Sequence, residues 1–430
     1  MLARLLRGSG VAFLLSILGT LVNYLTTVYL TNVLGTADYG LYAYAMTWIS
    51  LLSVSATLGF NLAVVRLIPL YISSKAWDAL KGIINHSSRI TLIASIILTI
   101  IVASLVIIIP INQTFRFLLV GLWLVPIFSL MELQLGILRA QGEITFALAP
   151  KQLIRFLMIS LLIFTLVVFG RKIDAVVALL IHGLVVGGLV LIQRLRISHL
   201  LRRIARAARE RHLTRKWLRL SLPLLLTAGA IILLSNTDII MLGLFKTTED
   251  VAVYYVAAKI ASSVSFPLAA VNMIAAPLVS EAYLNGGRSE IQRLATRIAR
   301  MSFWPALGAV LILATFSNQI LSLFGTEFVR AKLILIILMV GYLINSGAGT
   351  VGTFLDMTGH QDSTAFVFGI SAILNIILNS FMIPLLGAVG AALSTASIMI
   401  IWSVWLHVLV TKHLQINTTI LSRPSTGSLK

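Results

Sequence analysis

The chain is a succession of long apolar runs, separated by short polar breaks that often contain glycine or proline. A run of about 20 apolar residues is the length that an α-helix needs to cross the hydrocarbon core of a bilayer. The runs predict twelve spans, over residues 9–33, 41–65, 83–109, 117–139, 147–169, 174–194, 218–244, 251–280, 298–322, 332–356, 363–384 and 388–411. We therefore predict an all-α, polytopic membrane protein.

Composition points to the same class. Hydrophobic residues make up 59% of the 430 residues and charged residues only 11%, whereas soluble domains carry about 25% charged residues. The chain has no cysteine, which excludes disulfides, thiol nucleophiles and thiolate metal sites. The first run follows Arg4 and Arg7 as in a signal peptide, but it is too long for one and lacks an A-x-A site. We predict that it is retained as the first span.

The positive charge follows the expected membrane topology. If the N-terminus is cytoplasmic, most of the 33 lysines and arginines fall on the cytoplasmic side of the predicted spans, as the positive-inside rule requires. This distribution accounts for most of the formal net charge of +19, so we expect no nucleic-acid partner. We predict cytoplasmic N- and C-termini and a cell (inner or plasma) membrane location.

One connection, 194–219, is much longer and more basic than the others. Apolar residues recur at helical spacing between Ile197 and Ala208, and arginines fall between them. This pattern predicts an amphipathic helix that lies on the anionic cytoplasmic surface of the membrane. Its role is to anchor the topology between two halves, or alternatively to contact a lipid phosphate.

The connector divides the chain into two halves of six predicted spans. The predicted segments are an N-terminal six-helix bundle at 1–195, a connector at 196–217, a C-terminal six-helix bundle at 218–412 and a cytoplasmic tail at 413–430. Residues 40–46 resemble 252–258, and 138–142 resemble 355–359, each at the same place in its half. Because six spans are an even number, both halves enter from the same side, which makes this a parallel repeat that normally encloses its substrate.

Three stretches also resemble motifs of a known family: LGTADYGLY at 34–42, the pair 238–243 and 253–259, and 375–392. In these stretches the chain is similar to the polysaccharide-transport (O-antigen type) flippases of the multidrug/oligosaccharidyl-lipid/polysaccharide export superfamily. The similarity extends from residue 8 to about 410. It implies two six-helix bundles around a central cleft that opens alternately inward and outward. It also implies a substrate in which an oligosaccharide is carried on a polyprenyl pyrophosphate.

Ionisable side chains inside the predicted spans are candidate site residues, because a charge at mid-bilayer costs about 2.5–3.5 kcal/mol. Asp238 and Lys259 lie about equally far from the turn near Thr248, so we expect them at similar depth. In one interpretation Lys259 binds a diphosphate or sugar, and Asp238 tunes that contact. In the other, the two side chains are a structural pair that neutralises itself.

Four further residues complete the candidate set. Glu132 is expected to be a lone carboxylate within a span, either a proton carrier or a hydrogen-bonded core residue. Arg66, Arg139 and Arg155 lie at helix ends, where they either anchor the helices or collect the pyrophosphate of the substrate.

The sequence contains no nucleotide-binding loop and no H-E-x-x-H motif. We therefore predict a transporter without a cofactor, driven by the substrate's own gradient or by a proton or sodium ion. The leading hypothesis is a flippase for cell-surface polysaccharide biosynthesis, and the alternative is a cation-coupled drug or metabolite exporter. The short outer connections argue against an enzyme such as a glycosyltransferase or polymerase, and a scaffold would leave the charges in the spans unexplained. Expected partners are lipid-linked oligosaccharide, membrane lipids and other glycan-assembly proteins.

Overall fold

The computed structural model describes residues 2–109, 111–204, 210, 213–283 and 287–420. This part of the chain is helical and contains no strand, which confirms the all-α prediction. The described helices, in chain order, are α1 Leu2–Ala56, α2 Phe60–Ser73, α3 Trp77–Ile108, α4 Gln113–Arg116, α5 Leu118–Gly121, α6 Leu124–Ala140, α7 Ile144–Ala149, α8 Arg155–Val168, α9 Ala175–Ile204, α10 Thr214–Phe245, α11 Thr248–Ser262, α12 Phe266–Glu281, α13 Gly287–Thr315, α14 Ser317–Ser322, α15 Lys332–Ala348, α16 Val351–Met357 and α17 Gln361–Leu414. A π-helical turn, Pro150–Ile154, joins α7 to α8, and 3₁₀ turns occupy Ser263–Ser265 and Thr326–Ala331.

Among the described residues, seven helices are long and apolar enough to cross a membrane, and two bent helix pairs raise the number to nine. Two of the seven exceed a single crossing, because Leu14–Ala56 has 43 residues and Gln361–Leu414 has 54. As straight helices at 1.5 Å per residue they would measure about 65 and 80 Å, against about 30 Å for the hydrocarbon core. A non-helical glycine, Gly35 or Gly387, interrupts each of them. The chain is therefore a multi-span membrane protein, and the count of twelve spans stays a prediction.

The predicted second span, 41–65, is not one continuous helix. The helical path is interrupted between Ala56 and Phe60, where Gly59 has a left-handed backbone with φ of 76°. A Cβ atom at Gly59 would lie 2.1 Å from the carbonyl oxygen of Ser221. The break thus lets the backbone of α10 approach α2 more closely than any side chain would allow.

The chain forms two compact units, residues 1–232 and 233–430, and the division falls inside α10. The beginning of α10 packs within the first unit. The Trp217 side chain is fully buried in a cluster with α2 and α3, and its indole nitrogen donates a hydrogen bond of 3.0 Å to the Tyr71 hydroxyl. The predicted second bundle begins at residue 218 and so includes most of α10. The bounds of the predicted segments stay a prediction.

Part of the predicted basic connector, 196–217, is described. Helix α9 continues as far as Ile204 and so forms its first part. Residues 205–209 and 211–212, which hold much of the predicted basic face, lie outside the described residues, as do residues 421–430 of the predicted tail.

In the second unit the core lies among α12, α13, α16 and α17. The segment after α17 packs back against α13. Gln292 on α13 donates a hydrogen bond to the backbone carbonyl of Asn417 at 2.7 Å and accepts one from its backbone amide at 2.7 Å. Ile416 beside it is buried in this core.

Candidate functional site

Asp238 is the most completely hydrogen-bonded of the predicted site residues. It lies on α10 in the second unit and is only 4% exposed. Its carboxylate accepts hydrogen bonds from the Tyr254 hydroxyl at 2.6 Å, the Thr395 hydroxyl at 2.5 Å and the Asn379 side-chain nitrogen at 2.8 Å. Burying a carboxylate is costly unless donors or a cation compensate its charge. The sequence therefore places three donors from α11 and α17 around one acid.

The surroundings of Asp238 are rich in oxygen. Asn379 also donates to the side-chain oxygen of Asn375, 3.1 Å away and one turn earlier on α17. The remaining oxygen of Asn379, Oδ1, is buried and has no hydrogen-bond partner among the described residues. A buried acceptor without a donor is uncommon and calls for an explanation. We define the oxygen cluster as Asp238, Tyr254, Asn375, Asn379 and Thr395. Carboxylate, amide and hydroxyl oxygens are the ligands that hard cations prefer.

Lys259 does not belong to the oxygen cluster. We expected it beside Asp238, but in the described part of the chain the side chains that donate to Asp238 are Tyr254, Asn379 and Thr395. Lys259 and Tyr254 are five residues apart on α11, which is a rotation of about 140° around the helix axis. The face of α11 that brings Tyr254 to Asp238 therefore turns Lys259 to another side, where it is half-buried.

Glu132 is not a lone carboxylate. It lies on α6 in the first unit, and its Oε1 is 2.5 Å from the Nζ of Lys151 in the π-helical turn. Both side chains are largely enclosed, with 17% and 33% of their surfaces exposed. π-helical turns frequently occur at functional sites, and this one directs a lysine toward an acid on the neighbouring helix. The pair gives each charge a partner inside the span.

Arg155 begins α8, directly after the same π-helical turn. Its guanidinium lies over two aromatic rings, 4.4 Å from the centre of Phe156 and 5.9 Å from the centre of Phe128. Phe128 also packs against His182 with ring centres 5.3 Å apart, and His182 is hydrogen-bonded to the Tyr42 hydroxyl at 2.7 Å. Arg155 thus belongs to a contact chain that links α8, α6, α9 and α1.

Arg66 on α2 and Arg139 on α6 are exposed. Both are available to anionic groups, because a guanidinium presents a fork of donors that matches phosphate oxygens. The six predicted residues therefore separate into three kinds. Asp238 is buried in an oxygen cluster, Glu132 and Arg155 lie in enclosed contacts of the first unit, and the remaining three are partly or fully exposed.

The sequence alone did not indicate the partners that complete these sites. Thr395 and Lys151 carried no motif, and Asn379 lay within the motif stretch 375–392 without being singled out. A signal existed for the amides, since Asn375 and Asn379 are four residues apart and therefore share one face of α17. Within the described residues, no group of three or more histidine, cysteine, aspartate or glutamate side chains is arranged to hold a metal ion.

Residues 5–283 match the model of a family described as polysaccharide biosynthesis protein. This match covers well over half of the chain. The chain belongs to the polysaccharide biosynthesis protein family. Residues 223–381 also match a second family model, MatE. These two matches confirm the resemblance that the motifs at 34–42, 238–243 and 375–392 indicated.

A relative within glycan assembly supports the family assignment. The probable low-salt glycan biosynthesis flippase Agl15 of Haloferax volcanii is 29% identical over 160 residues. The alignment covers 37% of this family member and 34% of the relative. The chain therefore spans about a third of the length of the curated relative that it matches.

Solved structures show the same fold at low sequence identity. The lipid II flippase MurJ, in an inward closed conformation, matches with a TM-score of 0.71 and 17% identity, covering 94% of this chain and 87% of that one. An inward-facing multidrug resistance MATE family transporter of the MOP superfamily matches with a TM-score of 0.69 and 16% identity, covering 92% and 94%. This member of the polysaccharide biosynthesis protein family thus has the fold of multi-span MOP-superfamily transporters, as predicted.

Proposed function

We propose that this protein is a flippase that moves a polyprenyl-pyrophosphate-linked oligosaccharide across the cytoplasmic membrane for cell-surface polysaccharide biosynthesis. The match of residues 5–283 to the polysaccharide biosynthesis protein family carries this proposal. The fold supports it, because the solved structures that share it include a lipid II flippase. We propose alternating access as the mechanism, with both termini in the cytoplasm and no catalysed reaction.

The substrate contacts in this proposal are basic. Arg66 and Arg139 are exposed guanidinium groups and suit the pyrophosphate, since charge-assisted contacts to phosphate are among the stronger hydrogen bonds. Arg155, at the beginning of α8, would join Arg66 and Arg139 in collecting the pyrophosphate. Lys259 lies inside a predicted span and would contact the diphosphate or sugar during passage. A partly desolvated ammonium binds an anion more strongly than one in bulk water does.

We place the coupling ion at the oxygen cluster rather than at Glu132. A sodium ion among these oxygens would satisfy the partnerless Oδ1 of Asn379 and compensate the charge of Asp238. A proton on Asp238 would compensate the charge but leave that oxygen without a partner. Glu132 already has Lys151 as its counter-charge. We therefore propose sodium as the coupling ion, and a proton at the same carboxylate as the competing assignment.

A second function, a cation-coupled drug or metabolite exporter, is favoured by one observation. Residues 223–381, which include Asp238 and Asn379, match the MatE model. The two functions share the oxygen cluster and differ in the cargo. The cargo is therefore the property that an experiment must decide.

Deletion of the gene should separate the two functions in cells. We expect lipid-linked glycan to accumulate and surface polysaccharide to be lost, with export of cationic dyes unchanged. The native gene should restore the polysaccharide, and Lys259→Ala should restore less than about a tenth of it, since loss of one charged contact costs about 1.5–3 kcal/mol. The measurements are surface glycan by lectin binding, carrier-linked glycan by extraction, and membrane insertion by immunoblot.

The control for this experiment is Lys412→Ala, at an exposed lysine in the last turn of α17. It should restore polysaccharide as the native gene does. If the deletion strain keeps its polysaccharide and loses dye export, the flippase proposal is wrong and the exporter is right. If Lys259→Ala inserts and restores polysaccharide fully, Lys259 is not a substrate contact.

The Glu132–Lys151 pair makes a separate prediction. Glu132→Gln should lower the thermal stability of the purified protein by about 1–3 kcal/mol, because Lys151 is left enclosed without its counter-charge. Adding Lys151→Met should recover most of this loss. The measurement is thermal unfolding in detergent, together with the response of transport to a pH gradient. A variant Glu132→Gln that stays fully stable but no longer responds to that gradient would restore Glu132 as the proton carrier.

A further inference from the structure

A cavity of about 500 Å³ lies within the first unit, among α3, α6 and α9. None of the candidate site residues described above lines it. Its walls are chemically divided into a polar end and an apolar end. Two independent features, an unpartnered buried oxygen and an acidic side chain already seated at the polar end, indicate what it binds.

Two arginines mark the polar end. Arg89 comes from α3 and Arg194 from α9, and both line the cavity. Asn85 and Ser88 precede Arg89 on the same face of α3, since positions three and four apart are neighbours on a helix. Two guanidinium groups with an amide and a hydroxyl form a donor-rich surface that suits a phosphate.

The apolar end of the cavity adjoins the polar end. Leu92 lies about one turn beyond Arg89 on α3, and Leu191 lies about one turn before Arg194 on α9. Their side chains are 39% and 60% exposed. Leu130 on α6 and Val190 on α9 complete this wall. In a membrane protein, exposed leucines at the edge of a cavity provide a surface for a hydrocarbon chain.

Gln134 on α6 lines the same cavity. It is 3% exposed, and its Oε1 is buried without a hydrogen-bond partner in the part of the chain that the structure describes. A buried acceptor of this kind requires a donor from water or from a ligand. A hydroxyl group on the ligand, either an alcohol or the P–OH of a phosphate monoester, would supply that donor.

An acid of the chain itself already contacts the polar end. Glu210 accepts a hydrogen bond of 2.6 Å from the side-chain nitrogen of Asn85, and its Oε2 is 3.6 Å from an Nη of Arg89. A carboxylate therefore stands where a phosphate oxygen would bind. An anionic ligand has to displace Glu210 or share Arg89 with it.

We propose that this cavity binds a phosphate-bearing amphiphile, with the phosphate on Arg89 and Arg194, a ligand hydroxyl on Gln134, and the hydrocarbon chain along Leu92 and Leu191. Glu210 acts as an internal competitor that lowers the affinity. Two sources share this chemistry, an anionic phospholipid and a polyprenyl phosphate. The proposal does not rest on the transported cargo, because an exporter of drugs could bind the same lipid.

The test is native mass spectrometry of the detergent-purified full chain with three probes: dioleoylphosphatidylglycerol, undecaprenyl phosphate and inorganic phosphate. The protein should bind one molecule of either amphiphile, and the two amphiphiles should compete with each other. Arg89→Gln and Arg194→Gln should each weaken this binding roughly tenfold. Glu210→Gln should strengthen it by up to about fivefold, the range of an exposed ion pair.

Matched controls distinguish binding at this site from a general effect of changing a charged side chain. Arg215→Gln removes an exposed arginine of the same unit. Glu143→Gln removes an acid that is as exposed as Glu210, at 24% of its side chain, and that pairs with Arg196 instead. Neither control should change amphiphile binding, and thermal unfolding should show that every variant is folded.

The tighter of the two amphiphiles identifies the source of the phosphate, and either one supports the site. The proposal would be overturned if the double variant Arg89→Gln/Arg194→Gln bound the amphiphiles as tightly as the native protein does. It would also be overturned by inorganic phosphate that binds as tightly as the amphiphiles, or by a Glu210→Gln variant that binds no more tightly than Glu143→Gln.

Discussion

Replacement of Asp238 by asparagine should abolish the response of transport to an imposed cation gradient, while the protein remains folded. Asparagine has nearly the same shape and can still accept hydrogen bonds from Tyr254 and Thr395. It lacks the negative charge that a bound sodium ion or proton requires. Removing one partner of a buried charge pair costs about 3–5 kcal/mol, so cation affinity should fall at least about 100-fold.

The measurement is transport in proteoliposomes under a sodium gradient and, separately, under a pH gradient. The native protein should respond to sodium, and Asp238→Asn should respond to neither gradient. Asp362→Asn, at an exposed acid of the same unit, serves as the control and should respond as the native protein does. Retention of the sodium response by Asp238→Asn would place the coupling ion elsewhere.

Gly136→Ala should prevent accumulation of folded protein. Gly136 lies on α6 where this helix packs on α2, and a Cβ atom there would lie 2.3 Å from the carbonyl oxygen of Asn61 and 3.0 Å from a methyl group of Val64. A backbone oxygen cannot move away without displacing α2. Overpacking of this kind costs about 1–3 kcal/mol or more, a large part of the stability of a folded domain.

Gly188→Ala on α9 is the matched control, because nothing lies within 4 Å of the position of its Cβ atom. This variant should be as stable as the native protein or slightly more so, since alanine favours a helix by about 0.5–1 kcal/mol over glycine. The yield of monodisperse protein from size-exclusion chromatography and the thermal unfolding temperature measure both effects. Equal yields of the two variants would show that the contact between α6 and α2 relaxes easily.

The helical fold was predictable because hydropathy reports directly on burial in lipid. The breaks expected between spans one and two and between spans eleven and twelve contain Gly35 and Gly387, where the structure interrupts its two longest helices. The break at Gly59 was not predictable. It depends on the approach of Ser221, a residue far away in the sequence, and local hydropathy contains no information on that contact.

The sequence singled out Asp238 as a candidate site residue, but it did not indicate the partners that the structure places around this side chain. Helical rise predicts a similar depth for Asp238 and Lys259, but it does not predict the rotation of α11, which brings Tyr254 to Asp238 instead. The other donors to Asp238 come from Asn379 and Thr395, 141 and 157 residues away in sequence. Such long-range pairs follow from tertiary packing, which a single sequence does not reveal.

We propose that this protein moves a lipid-linked oligosaccharide from one leaflet to the other. The most direct test is reconstitution of the purified native chain into vesicles that contain a fluorescent polyprenyl-pyrophosphate-linked oligosaccharide. A membrane-impermeant quencher then reports which leaflet the sugar occupies over time. We expect the fluorescent sugar to become accessible to the quencher only when the protein is present, at a rate that a sodium gradient increases. A cationic dye should not be transported. Vesicles in which the dye moves and the oligosaccharide stays in its original leaflet would contradict this account.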